Sequence, residues 1–340
     1  MSANELTSVA KALVAPGKGI LAIDESFPSI KKRFDSIGIE STEENRRAYR
    51  ELLITTPGAG EFISGMILFD ETLRQSTATG ETFVDALKRQ GILPGIKVDT
   101  GSKPLAGFPK EDVTEGLDGL RKRLEEYRGM GAKFCKWRAV INIGADYPTP
   151  HGIDANAHAL ARYAALCQEQ GLVPIIEPEV MMEGDHTIER CYDVSVDTLR
   201  RVFAAMAHQR VATEQLVLKT SMVISAKKCP VQADVKTVAK MTIRCLLNAV
   251  PASVPGIVFL SGGQNAQIAT EHLNAMHVGG EGYPWPLSFS YGRALQEPAL
   301  KTWKGSAGNV EAAQKALHHR EKMNGLACLG KYTTALEKAA

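Results

Sequence analysis

Charge of one sign is not in excess in this chain. Its 40 lysines and arginines stand against 38 aspartates and glutamates, a formal net of +2. That balance removes the electrostatic case for a nucleic-acid or membrane partner. No uninterrupted apolar run approaches the roughly 20 residues that a bilayer-spanning helix needs. Cysteine is sparse: the six, at 135, 167, 191, 229, 245 and 328, include no CxxC pair. A chain of 340 residues builds a core without disulfides, so reduced thiols in a reducing compartment are expected. The opening Met-Ser-Ala-Asn-Glu-Leu has neither the apolar centre of a secretion signal nor the Arg/Ser richness of a transit peptide. The expected location is cytoplasmic, with a mature organellar form as the alternative. No linker or low-complexity tract interrupts the sequence. One domain over 1–340 is expected, with a short tail from about residue 331.

What the chain has is alternation. Apolar residues make up 44% of it, and they cluster in eight short runs: 19–23, 62–69, 95–98, 132–137, 172–176, 216–219, 256–260 and 286–290. These are too short for helices, and several are rich in valine and isoleucine. Amphipathic helical patterns lie between them, near 42–54, 81–90, 112–128, 155–170, 195–209, 233–249, 264–276 and 309–324. Ser41 with Glu44 reads as a capping box for the first. Gly129, Gly131 and Gly171 read as stops. Eight strand–helix units recurring at intervals of roughly 30–43 residues predict an α/β fold, a (β/α)8 TIM barrel. A doubly wound open sheet would favour a glycine-rich turn after its first strand. Here the first run leads instead into Asp24, Glu25 and Ser26.

In such a barrel, chemistry gathers at the C-terminal ends of the strands. Those positions hold Asp24, Lys97, Asp99, Lys136, Arg138, Glu177, Glu179, Lys219, Ser261, Gly262, Ser290 and Arg293. A single lysine there is ordinarily a solvated strand end. Three lysines, two arginines and several carboxylates on one rim are a different matter, because lysine is seldom buried without a partner. A nucleophilic lysine must be neutral, and from an ordinary pKa near 10.4 it is so only about once in 2,500 at pH 7. Lys219 follows the apolar Leu216, Val217 and Leu218. Lys136, two strands earlier, could supply a neighbouring positive charge. Glu177 is then placed to shuttle protons for carbinolamine formation and dehydration.

None of the strand-end residues is histidine, and the eight histidines fall mostly in helical patterns or loops. No metal site is expected. Two segments suit phosphate. Residues 260–264 (LSGGQ) join a strand to a helix start, where backbone N–H groups can meet an anion. Ser290, Gly292 and Arg293 follow the eighth run, a common phosphate position in barrels. Ser29, Lys32 and Arg33, after Asp24, suit a second phosphate, against the alternative of a solvated basic face.

Taken in order, the segments GKGILAIDES (17–26), GIKVD (95–99), KWR (136–138), VPIIEPE (173–179), LK (218–219), FLSGGQ (259–264) and FSYGRA (289–294) resemble class I fructose-bisphosphate aldolase. The resemblance runs from about residue 10 to Tyr332. It implies reversible cleavage of fructose 1,6-bisphosphate to dihydroxyacetone phosphate and glyceraldehyde 3-phosphate. It implies Lys219 as the Schiff-base lysine and Glu177 as the acid/base for imine formation. Asp24 becomes the base for the C4 hydroxyl, with Lys136 and Glu179 balancing charge around them. Ser261, Gly262, Ser290 and Arg293 would hold the C1 phosphate. Ser29, Arg33, Lys97 and Arg138 would surround the sugar chain and its far phosphate. A homotetramer that takes sugar phosphates, with no cofactor and no metal, is implied too. Rival readings are the same chemistry on a seven-carbon ketose bisphosphate, or a non-catalytic scaffold. Two departures stand out. Thr220-Ser221-Met222 replaces the Pro-Asn-Met of animal relatives. The last residues, 333–340, also contain no tyrosine, where many relatives end in one that assists proton exchange at the enamine. Slow enamine protonation is the expectation from that second departure.

Overall fold

All eight apolar runs form strands, and the strands close on one another. The computed structural model describes residues 3–279 and 282–338. In it, β1 (Gly19–Ile23), β2 (Ile63–Leu68), β3 (Leu93–Lys97), β4 (Phe134–Ile141), β5 (Val173–Val180), β6 (Val217–Thr220), β7 (Ile257–Phe259) and β8 (Leu287–Tyr291) follow in chain order. Each pairs in parallel with its neighbour, and β8 returns to β1 through Ile20 opposite Ser290 and Leu21 opposite Tyr291. The fold is a (β/α)8 barrel.

Successive strand residues point to opposite faces, and this sorts each strand into an inner and an outer set. Ile20, Ala22, Ile67, Phe134, Val173, Ile175, Val217 and Val258 pack together inside the barrel. Their alternates, such as Leu21, Cys135, Trp137, Ile176, Leu218 and Phe289, pack outward against the helices. Two residues further along the inward rows come the polar ones. Asp24 follows Ala22, Lys136 and Arg138 follow Phe134, Glu177 and Glu179 follow Ile175, and Lys219 follows Val217. One parity therefore builds both the buried floor and the charged mouth.

The floor is closed from below. The helix Ala3–Leu13 sends Leu6, Ala10 and Leu13 into the inner cluster. Phe134 fills the centre only because its neighbours carry no side chain. A Cβ on Gly95 would stand 2.2 Å from the Phe134 ring, and one on Gly65 would stand 2.7 Å from Leu13.

The structure differs from expectation in several elements. The pattern at 112–128 is a helix only over Leu120–Gly129. Its first part, Asp112–Glu115, is a strand paired antiparallel with Gly101–Pro104. This hairpin stands on the β3–β4 connection, where Thr114 donates to the Arg138 carbonyl. The helix Glu43–Ile54 is capped by Thr42, whose hydroxyl accepts from the Asn45 amide. Ser41 is not the cap, and Glu44 pairs with Arg47 at 2.8 Å. Four helices were not expected: Ala3–Leu13, Phe27–Asp35, Asp70–Arg74 and Arg293–Trp303. At the tail, the Tyr332 ring is buried and its hydroxyl donates to Glu337. Positions 339 and 340 of the expected tail lie outside the described residues.

Candidate functional site

A cleft of about 850 Å³ opens at the C-terminal ends of the strands. Every expected site residue lines it: Asp24, Ser29, Arg33, Lys97, Lys136, Arg138, Glu177, Glu179, Lys219, Ser261, Gly262, Ser290 and Arg293. Lys32 and Asp99 line it as well. They come from seven of the eight strands and the turns just beyond them, with Ser29, Lys32 and Arg33 on the helix Phe27–Asp35 that follows β1 and Arg293 on the helix that follows β8.

At the bottom runs a chain of alternating charge. Lys219 Nζ lies 2.9 Å from Glu177 Oε1. Glu177 Oε2 lies 3.2 Å from Lys136 Nζ, and Lys136 Nζ lies 2.7 Å from Asp24 Oδ2. Lys136, Glu177 and Lys219 are each at most 4% exposed. Burial alone pushes a carboxyl up. For Asp24 that push is outweighed by the ammoniums of Lys136, Lys219 and Lys97, and its pKa is held well below the usual range. For Glu177, burial is likewise outweighed by Lys136, Lys219 and Arg138, and its pKa is lowered. Lys136 shows the mirror image. Burial pulls it down, but Asp24, Glu177 and Asp99 hold it above an ordinary lysine. Three of the four groups therefore keep their charge inside the protein. Glu177 Oε2 has its charge contact with Lys136 but no aligned hydrogen bond. That leaves one lone-pair site free for a hydroxyl or water.

A second layer fixes these groups. Arg138 pairs with Glu179. Lys97 Nζ lies 3.3 Å from Asp99, and Asp99 accepts from the amides of Gly101 and Arg138, each at 3.2 Å. Glu25, next to Asp24, has no role that its sequence position suggests. Its carboxylate gathers Arg33 at 2.8 Å, Arg50 and the Gln296 amide. Burial raises its pKa, but Arg33 and Arg50 outweigh that and lower it. Arg50 is 2% exposed and Gln296 is fully buried. Neither has a sequence signal, since each is one polar residue on a helix whose partner lies far along the chain.

The phosphate-like segments converge at one end. Gly262 and Gly263 take φ of +56° and +92°, which side-chain-bearing residues rarely adopt. Arg293 Nη1 lies 3.7 Å from where a Cβ on Gly263 would stand. Arg293 opens the helix Arg293–Trp303, with Gly292 as its N-cap. The guanidinium and the N-terminal helix dipole therefore serve the same end of the cleft. Ser290 Oγ is buried with no hydrogen-bond partner among the described residues. Arg33 Nη2 lies 3.6 Å from the Cβ position of Gly292, so it too faces the eighth-strand end. Two further residues of the lip, Glu183 and Lys227, have no strand context and were not expected.

With this geometry, three comparisons converge. The family profile described as Fructose-bisphosphate aldolase class-I matches residues 5–340. A protein of Xanthomonas campestris named probable fructose-bisphosphate aldolase class 1 is 62% identical over 98% of this chain and 99% of its own. The fructose-bisphosphate aldolase of Dictyostelium discoideum is 52% identical over 97% of this chain and 93% of its own. Among solved structures, the Plasmodium falciparum fructose-bisphosphate aldolase superimposes with a TM-score of 0.95. It is 46% identical, covering 97% of this chain and 95% of that one.

Proposed function

From the premise that this chain belongs to the class I fructose-bisphosphate aldolase family, we propose that it cleaves fructose 1,6-bisphosphate reversibly through an imine on Lys219. The observation that carries the mechanism is the buried chain Lys219–Glu177–Lys136–Asp24.

Lys219 sits on an inward position of β6, beside the carboxylate best placed to take and return its proton. Its amine attacks the C2 carbonyl, and Glu177 passes the protons that turn the carbinolamine into an imine and water. The imine nitrogen is cationic, so it draws electrons from C2. Asp24, kept ionised by Lys136, takes the proton of the C4 hydroxyl. The C3–C4 bond then breaks, its electron pair enters the enamine, and glyceraldehyde 3-phosphate leaves. Protonation at C3 and hydrolysis release dihydroxyacetone phosphate and return the Lys219 amine. Lys136 contacts both carboxylates, so it holds base and proton shuttle in one charge balance. Glu179 anchors Arg138 beside them. Ser261, Gly262, Ser290 and Arg293 hold the C1 phosphate. Ser29, Arg33, Lys97 and Arg138 line the path of the sugar and its second phosphate.

We further propose one catalytic domain over the whole chain and a metal-independent enzyme. In our reading it is a homotetramer in the cytoplasm, with sugar phosphates rather than nucleic acid or membrane as partners. Six unpaired, buried cysteines support a reducing compartment.

Borohydride reduction in the presence of fructose 1,6-bisphosphate tests the central claim. A stable adduct should map by mass spectrometry to the peptide bearing Lys219 and should vanish in Lys219→Met. An adduct on Lys136 instead, or none with active enzyme, would overturn it.

A further inference from the structure

The connection after β5 and the connection after β6 are laced together over the cleft. The Ala226 amide donates to His186 O at 3.0 Å, Lys227 to Met182 O at 2.9 Å and Lys228 to Gly184 O at 2.9 Å. This clasp sets Glu183 and Lys227 face to face on the lip, where their side chains form a direct ion pair. Their side chains are 54% and 40% exposed. A pair this exposed contributes little to stability, and the backbone clasp already holds the two connections. The pair therefore calls for another explanation.

Its position supplies one. Lys227 Nζ lies 3.0 Å from the point where a Cβ on Gly263 would stand, and Arg293 Nη1 lies 3.7 Å from that same point. Two cations thus converge above the glycine turn. Ser290 lines the same cleft with its hydroxyl unpartnered. One of those cations, Lys227, is held aside by a carboxylate on a flexible, half-exposed side chain.

We propose that Lys227 is a phosphate-capturing residue, parked on Glu183 in the empty protein and transferred to the C1 phosphate when a ketose phosphate enters. Glu183 then sets how tightly that phosphate is held, because the incoming anion must displace it. This rests on the sugar-phosphate reading of the cleft.

The two partners should act with opposite sign. Lys227→Gln should raise KM for fructose 1,6-bisphosphate and for fructose 1-phosphate alike. A rise of about three- to fivefold is expected, the upper end for one exposed charge contact, with kcat within about twofold. The Kd for inorganic phosphate, measured directly by calorimetry, should rise by a similar factor. Glu183→Gln should lower both KM and Kd, since Lys227 is then free. The double variant should match Lys227→Gln alone. Melting temperatures would check that all variants fold.

If both single variants move KM and Kd in the same direction, the pair is structural and the proposal fails. If Glu183→Gln still tightens binding in the Lys227→Gln background, Glu183 acts by its own repulsion and Lys227 is idle. Unchanged phosphate binding in Lys227→Gln would also overturn the proposal. Failure of the sugar-phosphate reading would show separately, as wild-type protein that neither cleaves the bisphosphate nor yields a borohydride adduct. Phosphate calorimetry would still decide the role of Lys227 in that case.

Discussion

Removing the Lys136 ammonium would leave Glu177 buried with Lys219 as its ion-pair partner and Asp24 buried with no direct ion pair, acted on by Lys219 and Lys97. Burial, the largest single influence on each carboxyl, would then be opposed by fewer cations. In Lys136→Met the acid limb of the residual kcat profile should therefore move up by roughly one to three pH units. The effect on stability follows from the same shift. A carboxylate held low in the fold adds stability above its unfolded value, and loses it as pH falls through the folded value. For wild-type Asp24, that loss is confined to strongly acidic solution. In Lys136→Met, carboxyls raised to or above the ordinary range hold no such stability, so the about 3–5 kcal/mol lost at neutral pH from the broken buried pair should shrink as pH falls through that range. Melting curves over a pH series would show it. A variant that melts in parallel with wild type at every pH would contradict the charge chain. Lys136, Glu177, Asp24 and Lys219 were legible as residues because the strand period of two places them at strand ends. Their order of contact was not, since it depends on barrel closure and on side-chain length.

At the level of elements, the eight strands were readable from apolar runs alone, and the connections were less so. Residues 101–115 contain polar strands on a solvent-facing hairpin, which carry no apolar signal. The helix Arg293–Trp303 contains Pro298 and starts without a side-chain cap, so its sequence gave no start signal. That helix matters to the proposal, because its first residue, Arg293, lines the cleft at the end where we propose that the C1 phosphate binds. Arg293→Ala should raise KM for fructose 1,6-bisphosphate and fructose 1-phosphate together, each by roughly tenfold or more, the scale of a hydrogen bond to a charged group. Unaltered handling of fructose 1-phosphate would move Arg293 to the other phosphate. The first capped helix offers a stability check. Thr42, not Ser41, accepts from the Asn45 amide. Thr42→Ala should cost about 1 kcal/mol, whereas Ser41→Ala should leave chemical denaturation nearly unchanged. The reverse ranking would restore the cap that the sequence suggested.

Across the whole molecule, near-neutrality hides a strongly patterned interior. Basic and acidic residues almost cancel, 40 against 38, and at the strand ends the carboxylates are answered one by one. Asp24 and Glu177 are taken up by lysines, Asp99 by Lys97, Glu179 by Arg138, and Glu25 by two arginines. A metal site gathers its carboxylates and imidazoles around one point and leaves them free to coordinate. Here each carboxylate is answered by an ammonium or guanidinium, and no three His, Cys, Asp or Glu side chains among the described residues are grouped to hold an ion. In the mechanism we propose, the imine nitrogen on Lys219 is the electron sink, so a Lewis acid at the substrate carbonyl would be redundant. Dialysis against EDTA should therefore leave cleavage activity intact, while borohydride with substrate should abolish it in the same preparation. Activity that is lost to the chelator and restored by zinc would show that the carbonyl is polarised by a metal. The lysine–carboxylate chain would then have to be read as structure rather than as chemistry.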